Sequence, residues 1–504
     1  MTYKNPILLC DYSDPDVCRA GDDFYLTASS FNFVPALPVL HSRDLVHWTL
    51  INYALPSIPL PGYDKVQNAK GVWAPSIRFH EGRFYIFFAT PDEGIFYTST
   101  ADPYGKWDEL QCVWAGKGFE DPCPFWDDDG KVYLVHAYVK SRVGFNSKLG
   151  IFELDPRTLK PVTEDKFIFD GTQSQPTIEG PKVYKRNGFY YIFAPAGGVT
   201  NGWQSVLRSK KIDGDYEEKI VLAQGDSKIN GPHQGGWVQT QSGEDWFIHF
   251  QDAGIFGRIT HLQPMRWISD WPVMGNAVLL SDEKALSVTG EPVTKWKIPL
   301  KNKTGFSKQE ISEFQFSASP DENNFASTKN SLWLTPSVCT KKINSKKFTY
   351  EKRFFLEEKW HENQRRGIIF LGNEYAALQI EKSDENTFVI SYLESSGSEN
   401  GDTLREEKII WKQEISLEEQ LTAKSEVLPE CLNGGNFAAF ESDSTKKRRQ
   451  VCFKMKFSSG KDGKSGIVHF SAKAKINGKK IAYKSKPFKT TNAHWVGGRY
   501  GFFS

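Results

Sequence analysis

The chain has 504 residues, with 63 Lys/Arg against 61 Asp/Glu, a formal net charge of +2, 25% charged and 39% hydrophobic residues. This balance excludes an intrinsically disordered chain. No apolar run reaches the ~18 residues of a membrane-spanning helix, and a charge near zero gives no reason to expect a nucleic-acid partner. The charge is unevenly spread: residues 1–300 hold 29 Lys/Arg against 36 Asp/Glu, and residues 301–504 hold 34 against 25. A net-acidic first part suits a neutral or cationic ligand.

The opening Met1-Thr2-Tyr3-Lys4-Asn5-Pro6 has no long apolar core and no small-residue cleavage site. The chain as written therefore reads as cytoplasmic, with export open if a leader has been removed. Seven cysteines form no Cys-x-x-Cys pair. Cys10, Cys18, Cys112 and Cys123 sit beside apolar residues and read as reduced, buried thiols, so neither a disulfide framework nor a zinc site is expected.

A pattern recurs five times in the first 300 residues: an opening with a small or acidic residue and usually Pro, alternating apolar residues, a Gly/Asp/Asn turn, and an aromatic strand. The first copy runs Asp14-Pro15-Asp16-Val17, Gly21-Asp22-Asp23, Phe24-Tyr25-Leu26. The second runs Ala74-Pro75-Ser76-Ile77, Glu81-Gly82-Arg83, Phe84-Tyr85-Ile86. The third opens at Asp121-Pro122-Cys123-Pro124 and turns at Asp127-Asp128-Asp129-Gly130. The fourth opens at Glu179-Gly180-Pro181 and turns at Asn187-Gly188, and the fifth opens at Gly235-Gly236-Trp237 and turns at Ser242-Gly243. Each copy reads as a β-hairpin, and the ~50–60 residues between openings leave room for two more strands. Four strands per repeat make a propeller blade, so residues 1–300 are expected to form a five-bladed β-propeller. Aromatic residues at 14% with only 4 Met fit this all-β reading, and flat rings also suit sugar faces.

In a propeller the first strand of each blade lines the central axis, so the residues that open those strands converge. Three openings carry a carboxylate: Asp14, Asp121 and Glu179. Hydrolysis of a glycosidic bond needs one protonated carboxyl as acid and one ionised carboxylate to activate water. A third carboxylate nearby raises the donor's pKa by repulsion and can orient it.

These residues resemble glycoside hydrolase family 43. The similarity is carried by Asn5-Pro6-Ile7-Leu8, Asp11-Tyr12-Ser13-Asp14-Pro15-Asp16-Val17, Ser29-Ser30-Phe31, His41-Ser42-Arg43-Asp44-Leu45, Val72-Trp73-Ala74-Pro75, Asp121-Pro122 and Glu179-Gly180-Pro181, in order over about residues 5–290. The members it looks most like are β-xylosidases and α-L-arabinofuranosidases with a β-sandwich after the propeller. The resemblance implies exo-acting, inverting release of terminal xylose or arabinofuranose from hemicellulose oligosaccharides, without a covalent intermediate. Asp14 would be general base, Glu179 general acid, and Asp121 the residue that tunes and orients Glu179. It implies further that Arg258 binds sugar hydroxyls and that Phe31 and Trp73 form stacking walls. His233 would contact a water-ligated calcium, a structural ion in the channel; no cofactor is implied for the chemistry. The loop Phe31-Asn32-Phe33-Val34-Pro35 departs from the acidic, Trp-bearing loop of familiar xylosidases, which leaves both sugars open.

After a connection at about residues 290–310 the repeat stops. Alternating runs at 348–355, 367–371, 389–392 and 451–457 read as strands with one wet face, so residues 301–504 are expected to form a concanavalin-like β-sandwich. The Lys runs 446–449 and 479–480 read as solvated faces. Phe503 is the residue expected to lend an aromatic ring to the pocket. The alternatives are a catalytically inactive carbohydrate-binding propeller, a fructan-active enzyme and a protein-interaction propeller. The first would be expected to lack one of the three carboxylates, and the motifs of the other two are absent.

Overall fold

The computed structural model describes residues 1–300, 311–320, 325–396, 406–417, 449–493 and 495–504. Among these the chain is nearly all β, and its helices are single turns such as Lys140–Val143 and Gly198–Asn201. The local sequence accounts for this: short apolar and aromatic runs bounded by Gly, Asp and Asn have strand periodicity and lack a helical face.

Five four-stranded antiparallel sheets follow one another, each with its strands in chain order. Their first strands are Asp16–Ala20, Trp73–His80, Phe119–Trp126, Lys182–Arg186 and His233–Gln239. The second strands are Asp23–Thr27, Arg83–Thr90, Val132–Tyr138, Phe189–Ala196 and Asp245–Asp252. All five expected hairpins are present. At Glu81-Gly82 and Asn187-Gly188 both loop residues have positive φ (47° and 78°; 51° and 71°), the two-residue turn whose twist matches the strands.

Consecutive sheets bury an apolar cluster between them. Ile77 and Phe88 of the second sheet pack with Tyr25 and Val39 of the first, and Phe87 packs with Leu134 and Phe152 of the third. Val135 and Ile192 join the third and fourth sheets, and Phe193, Val206 and Phe247 join the fourth and fifth. Val17, Phe24, Trp246 and Ile248 join the fifth sheet to the first, so the series returns on itself. Thr2–Lys4 pairs with Lys295–Lys297, which ties the two ends of this region together.

The remaining strands form two antiparallel sheets, of seven and five strands. They share a core of Phe354, Ile368, Leu378, Ile390, Phe453 and Phe470, and Ile255, Phe256 and Ile259 of the first region are built into it. The seams at Gly497 and Gly257 admit no side chain. A Cβ on Gly257 (φ 70°) would stand 2.4 Å from Cγ of Asp11, and one on Gly497 would stand 2.7 Å from the Gly257 nitrogen.

Among the described residues all six cysteines are free; Cys123 and Cys339 are buried and the other four half-buried. Lys479 and Lys480 are exposed, as expected, whereas residues 301–310, Cys431 and Lys446–Arg448 lie outside the described residues. No described helix is long and apolar enough to cross a membrane.

Candidate active site

Each of the five first strands is entered through a residue in the left-handed region: Asp14 (φ 53°), Ala74 (33°), Asp121 (57°), Gly180 (59°) and Gln234 (38°). Asp tolerates this conformation better than most residues, and Gly adopts it freely. Just before it stand Ser13, Trp73, Glu120, Glu179 and His233. Pairing with the second strand breaks register after Trp73, Glu120 and His233. Ser13 and Glu179 hold the same place through Ser29 N donating to Ser13 O (2.9 Å) and Glu179 N donating to Pro195 O (3.1 Å). This corrects the alignment of the repeats. Glu179 is not the equivalent of Asp14 and Asp121; it stands one residue earlier, in a ring with Ser13, Trp73, Glu120 and His233.

Asp14 is buried and accepts two hydrogen bonds, from Ser29 Oγ to Oδ2 (2.6 Å) and from Arg258 Nη1 to Oδ1 (2.9 Å). Ser29 Oγ in turn accepts from Ala74 N (2.7 Å), which fixes the hydroxyl that points at Asp14. Asp121 is buried, and its Oδ2 accepts from Gly180 N (2.7 Å), so this carboxyl holds the backbone next to Glu179. Burial, and after it the charges of Glu179 and Asp14, push the Asp121 carboxyl up to about 8, against the opposing charge of Lys182. Glu179 keeps a third of its side chain exposed and pairs through Oε1 with Nε2 of the fully buried His233 (2.8 Å).

Glu120 was missed at the sequence level. Burial first, then the charges of Asp121, Glu179 and Asp14, hold its carboxyl well above the ordinary carboxylate range. The signal was present, a glutamate directly before Asp121-Pro122, but its equivalence to Glu179 emerges only from the left-handed residue that follows each of them.

Phe31 and Trp73 pack together with Val139 and Val496 as one wall. Trp73 is anchored by Nε1 donating to Ala69 O (3.1 Å). Trp495 of the second region meets Trp73 edge-on, with ring centroids 4.9 Å apart at 88°. The expected aromatic, Phe503, lies elsewhere. It is fully buried among Ile369, Leu393 and Trp333, because the strand Arg499–Phe503 turns it into the core opposite Gly367. Beside Arg258 a cavity of about 500 Å³ opens between the two regions, lined by Asp252 on one side and Asn373, Asn492 and Trp495 on the other. Polar groups beside an aromatic ring in a cavity of this size suit a sugar.

Among the described residues no group of three His, Cys, Asp or Glu side chains is arranged to hold a metal directly. His233 Nδ1 is buried without a partner, which offers one acceptor to a water of a hydrated ion but no cage.

The family model for glycosyl hydrolases family 43 matches residues 3–272. The chain is 40% identical over 343 residues to a putative beta-xylosidase of Xylanibacter ruminicola, covering 66% of this chain and 62% of that protein. It is 33% identical over 295 residues to a non-reducing end alpha-L-arabinofuranosidase of Bacteroides ovatus, covering 54% of each. The chain thus spans little more than half to three fifths of the length of these relatives. Its fold is similar to that of a xylan beta-1,4-xylosidase from Bacillus halodurans (TM-score 0.74, 20% identity, 99% of this chain and 96% of that one). It is also similar to a GH43 protein from Bacillus licheniformis (TM-score 0.72, 20% identity, 100% and 96%). With more than half its length matched by the family model, the chain belongs to glycosyl hydrolase family 43.

Proposed function

We propose that the chain is an exo-acting, inverting glycoside hydrolase that releases terminal xylose or arabinofuranose from hemicellulose oligosaccharides. The observation that carries this reading is that Asp121 accepts from Gly180 N, next to Glu179, and lies within electrostatic reach of both Glu179 and Asp14, while Arg258, which bonds Asp14, lies within reach of Glu179 as well. The names of its relatives, xylosidases and arabinofuranosidases, supply the sugars.

In this reading Asp14 is the general base, in an environment of two donors that suits a carboxylate. It takes a proton from water as the water oxygen attacks the anomeric carbon. Glu179 gives its proton to the departing oxygen, so one bond forms as the other breaks and the configuration inverts. Asp121 orients Glu179 through Gly180. Its raised pKa, with that of Glu120, keeps a proton within this cluster near neutrality; such coupled carboxyls titrate as a set. Arg258 holds Asp14 and reaches sugar hydroxyls, and Phe31, Trp73 and Trp495 wall the sugar. No cofactor takes part in the chemistry. A structural calcium would be held through water against His233 and would add positive charge beside Glu179. The architecture read here is a five-bladed propeller over residues 1–300 that carries the chemistry and a concanavalin-like sandwich over 301–504. It is supported by five sheets in chain order whose clusters return on the first, and by two sheets around one core.

The test is incubation with 4-nitrophenyl β-D-xyloside and 4-nitrophenyl α-L-arabinofuranoside, with NMR of the first-formed anomer. Release of nitrophenol with an inverted anomer is expected, and Glu179→Ala is expected to lower kcat by about 10²–10⁴-fold. No release from either glycoside, or unchanged release by Glu179→Ala, defeats the proposal.

A further inference from the structure

We propose that Glu120 is a substrate-binding residue of this site, whose carboxyl donates a hydrogen bond to a hydroxyl of the sugar held between Trp73 and Glu179. The inference rests on the glycosidase reading above and deepens it. Three observations carry it.

The first is position. Glu120 enters the third sheet as Trp73 enters the second and Glu179 the fourth: each is followed by a left-handed residue, and strand register breaks after Glu120 and Trp73, while Glu179 is held by its N donating to Pro195 O. The first strands of the second and third sheets pack together, as do those of the third and fourth. Glu120 therefore stands between the aromatic wall and the candidate acid.

The second is the absence of any other use for the carboxyl. Among the described residues Glu120 makes no side-chain hydrogen bond, whereas Asp14, Asp121 and Glu179 all do. The cation nearest in effect, Arg142, is engaged by Asp92 at 3.0 Å and lies over the Trp73 ring. A half-buried carboxyl with no protein partner leaves its hydrogen-bonding capacity to a ligand that displaces water from it.

The third is chemical state. Desolvation and three neighbouring carboxylates favour the neutral acid, with only Arg142 opposing them. A neutral carboxylic acid is a donor as well as an acceptor, and a sugar hydroxyl can accept from it.

The experiment compares wild type, Glu120→Ala and Glu120→Gln on the parent 4-nitrophenyl glycoside that wild type cleaves and on its three monodeoxy analogues (2-, 3- and 4-deoxy for the xyloside, 2-, 3- and 5-deoxy for the arabinofuranoside). Glu120→Ala is expected to lose about 10- to 100-fold in kcat/KM on the parent, since a buried sugar hydroxyl is left without its partner. Glu120→Gln keeps a neutral donor and is expected to stay within about threefold. On the one analogue that lacks the contacted hydroxyl, wild type and Glu120→Ala should become equal. If Glu120→Ala is unfolded by circular dichroism, Glu120→Ser takes its place. Unchanged kcat/KM, or an equal loss on the parent and all three analogues, overturns the proposal. So does a shift of the pH profile in Glu120→Gln without discrimination among the analogues, which would mark an electrostatic role. A wild type inactive on both parent glycosides defeats the glycosidase reading first, and this inference with it.

Discussion

Asp121 is the residue at which electrostatics and stability meet. Its carboxyl is pushed up to about 8 by burial and by Glu179 and Asp14, against an ordinary value near 4 in the unfolded chain. The folded state therefore binds the proton more tightly than the unfolded state. The stabilisation linked to that proton is complete below about pH 4 and is lost as pH rises through about 8. Asp121→Asn removes this dependence while still accepting from Gly180 N. Thermal unfolding should show the variant gaining on wild type from pH 5 to pH 9, by on the order of 1 kcal/mol or more, with a large loss of activity. A difference in stability that is constant across that range would contradict the assignment. The three carboxylates themselves were legible in the sequence because each sits beside Pro or Gly at a repeat opening. Glu120 was not, since a polar residue one step from Asp-Pro carries no periodic mark of its own.

At the scale of elements, the hairpins were read directly, because a Gly, Asn or Asp turn between alternating strands specifies them locally. The break in register at the start of the first strands was not readable, and it decides which side chains share a ring. The closing strand Arg499–Phe503 makes the same point. Its terminal aromatic was expected at the pocket, but strand alternation sends Phe503 into the core, and the loop just before the strand supplies Trp495 instead. The two residues should therefore respond differently to truncation. Phe503→Ala is expected to cost about 3–5 kcal/mol in urea unfolding. Trp495→Ala, at a side chain 39% exposed, should leave the unfolding midpoint nearly unchanged and raise KM by about tenfold, the effect of losing one aromatic anchor. Equal loss of stability in both variants would refute this division of labour.

For the whole molecule, Asp11 joins what the chain keeps far apart. Its Oδ1 accepts from Ser13 Oγ and Arg258 N, and its Oδ2 accepts from Gly497 N, each at 2.9 Å. One buried carboxylate thus connects the strand entrance at Asp14, the segment that carries Arg258 and the end of the second region. Asp11→Ala leaves two backbone donors unpaired. It should lower stability by about 2–4 kcal/mol and lower kcat/KM at least tenfold through displacement of Arg258, both read on the same preparation by calorimetry and nitrophenol release. Retained activity with lowered stability would mean that Arg258 is positioned by Asp14 alone.

The sequence by itself determined the all-β character, the five hairpins, the order of the carboxylates and the family, because turn chemistry, alternation and motif spacing are local. The tertiary structure alone decided that Glu120 ranks with Glu179, that Trp495 rather than Phe503 meets Trp73, and that Asp11 binds the two regions together. Each of those depends on register, on the side to which a strand turns a residue, or on contacts between segments hundreds of residues apart, and no local pattern encodes them.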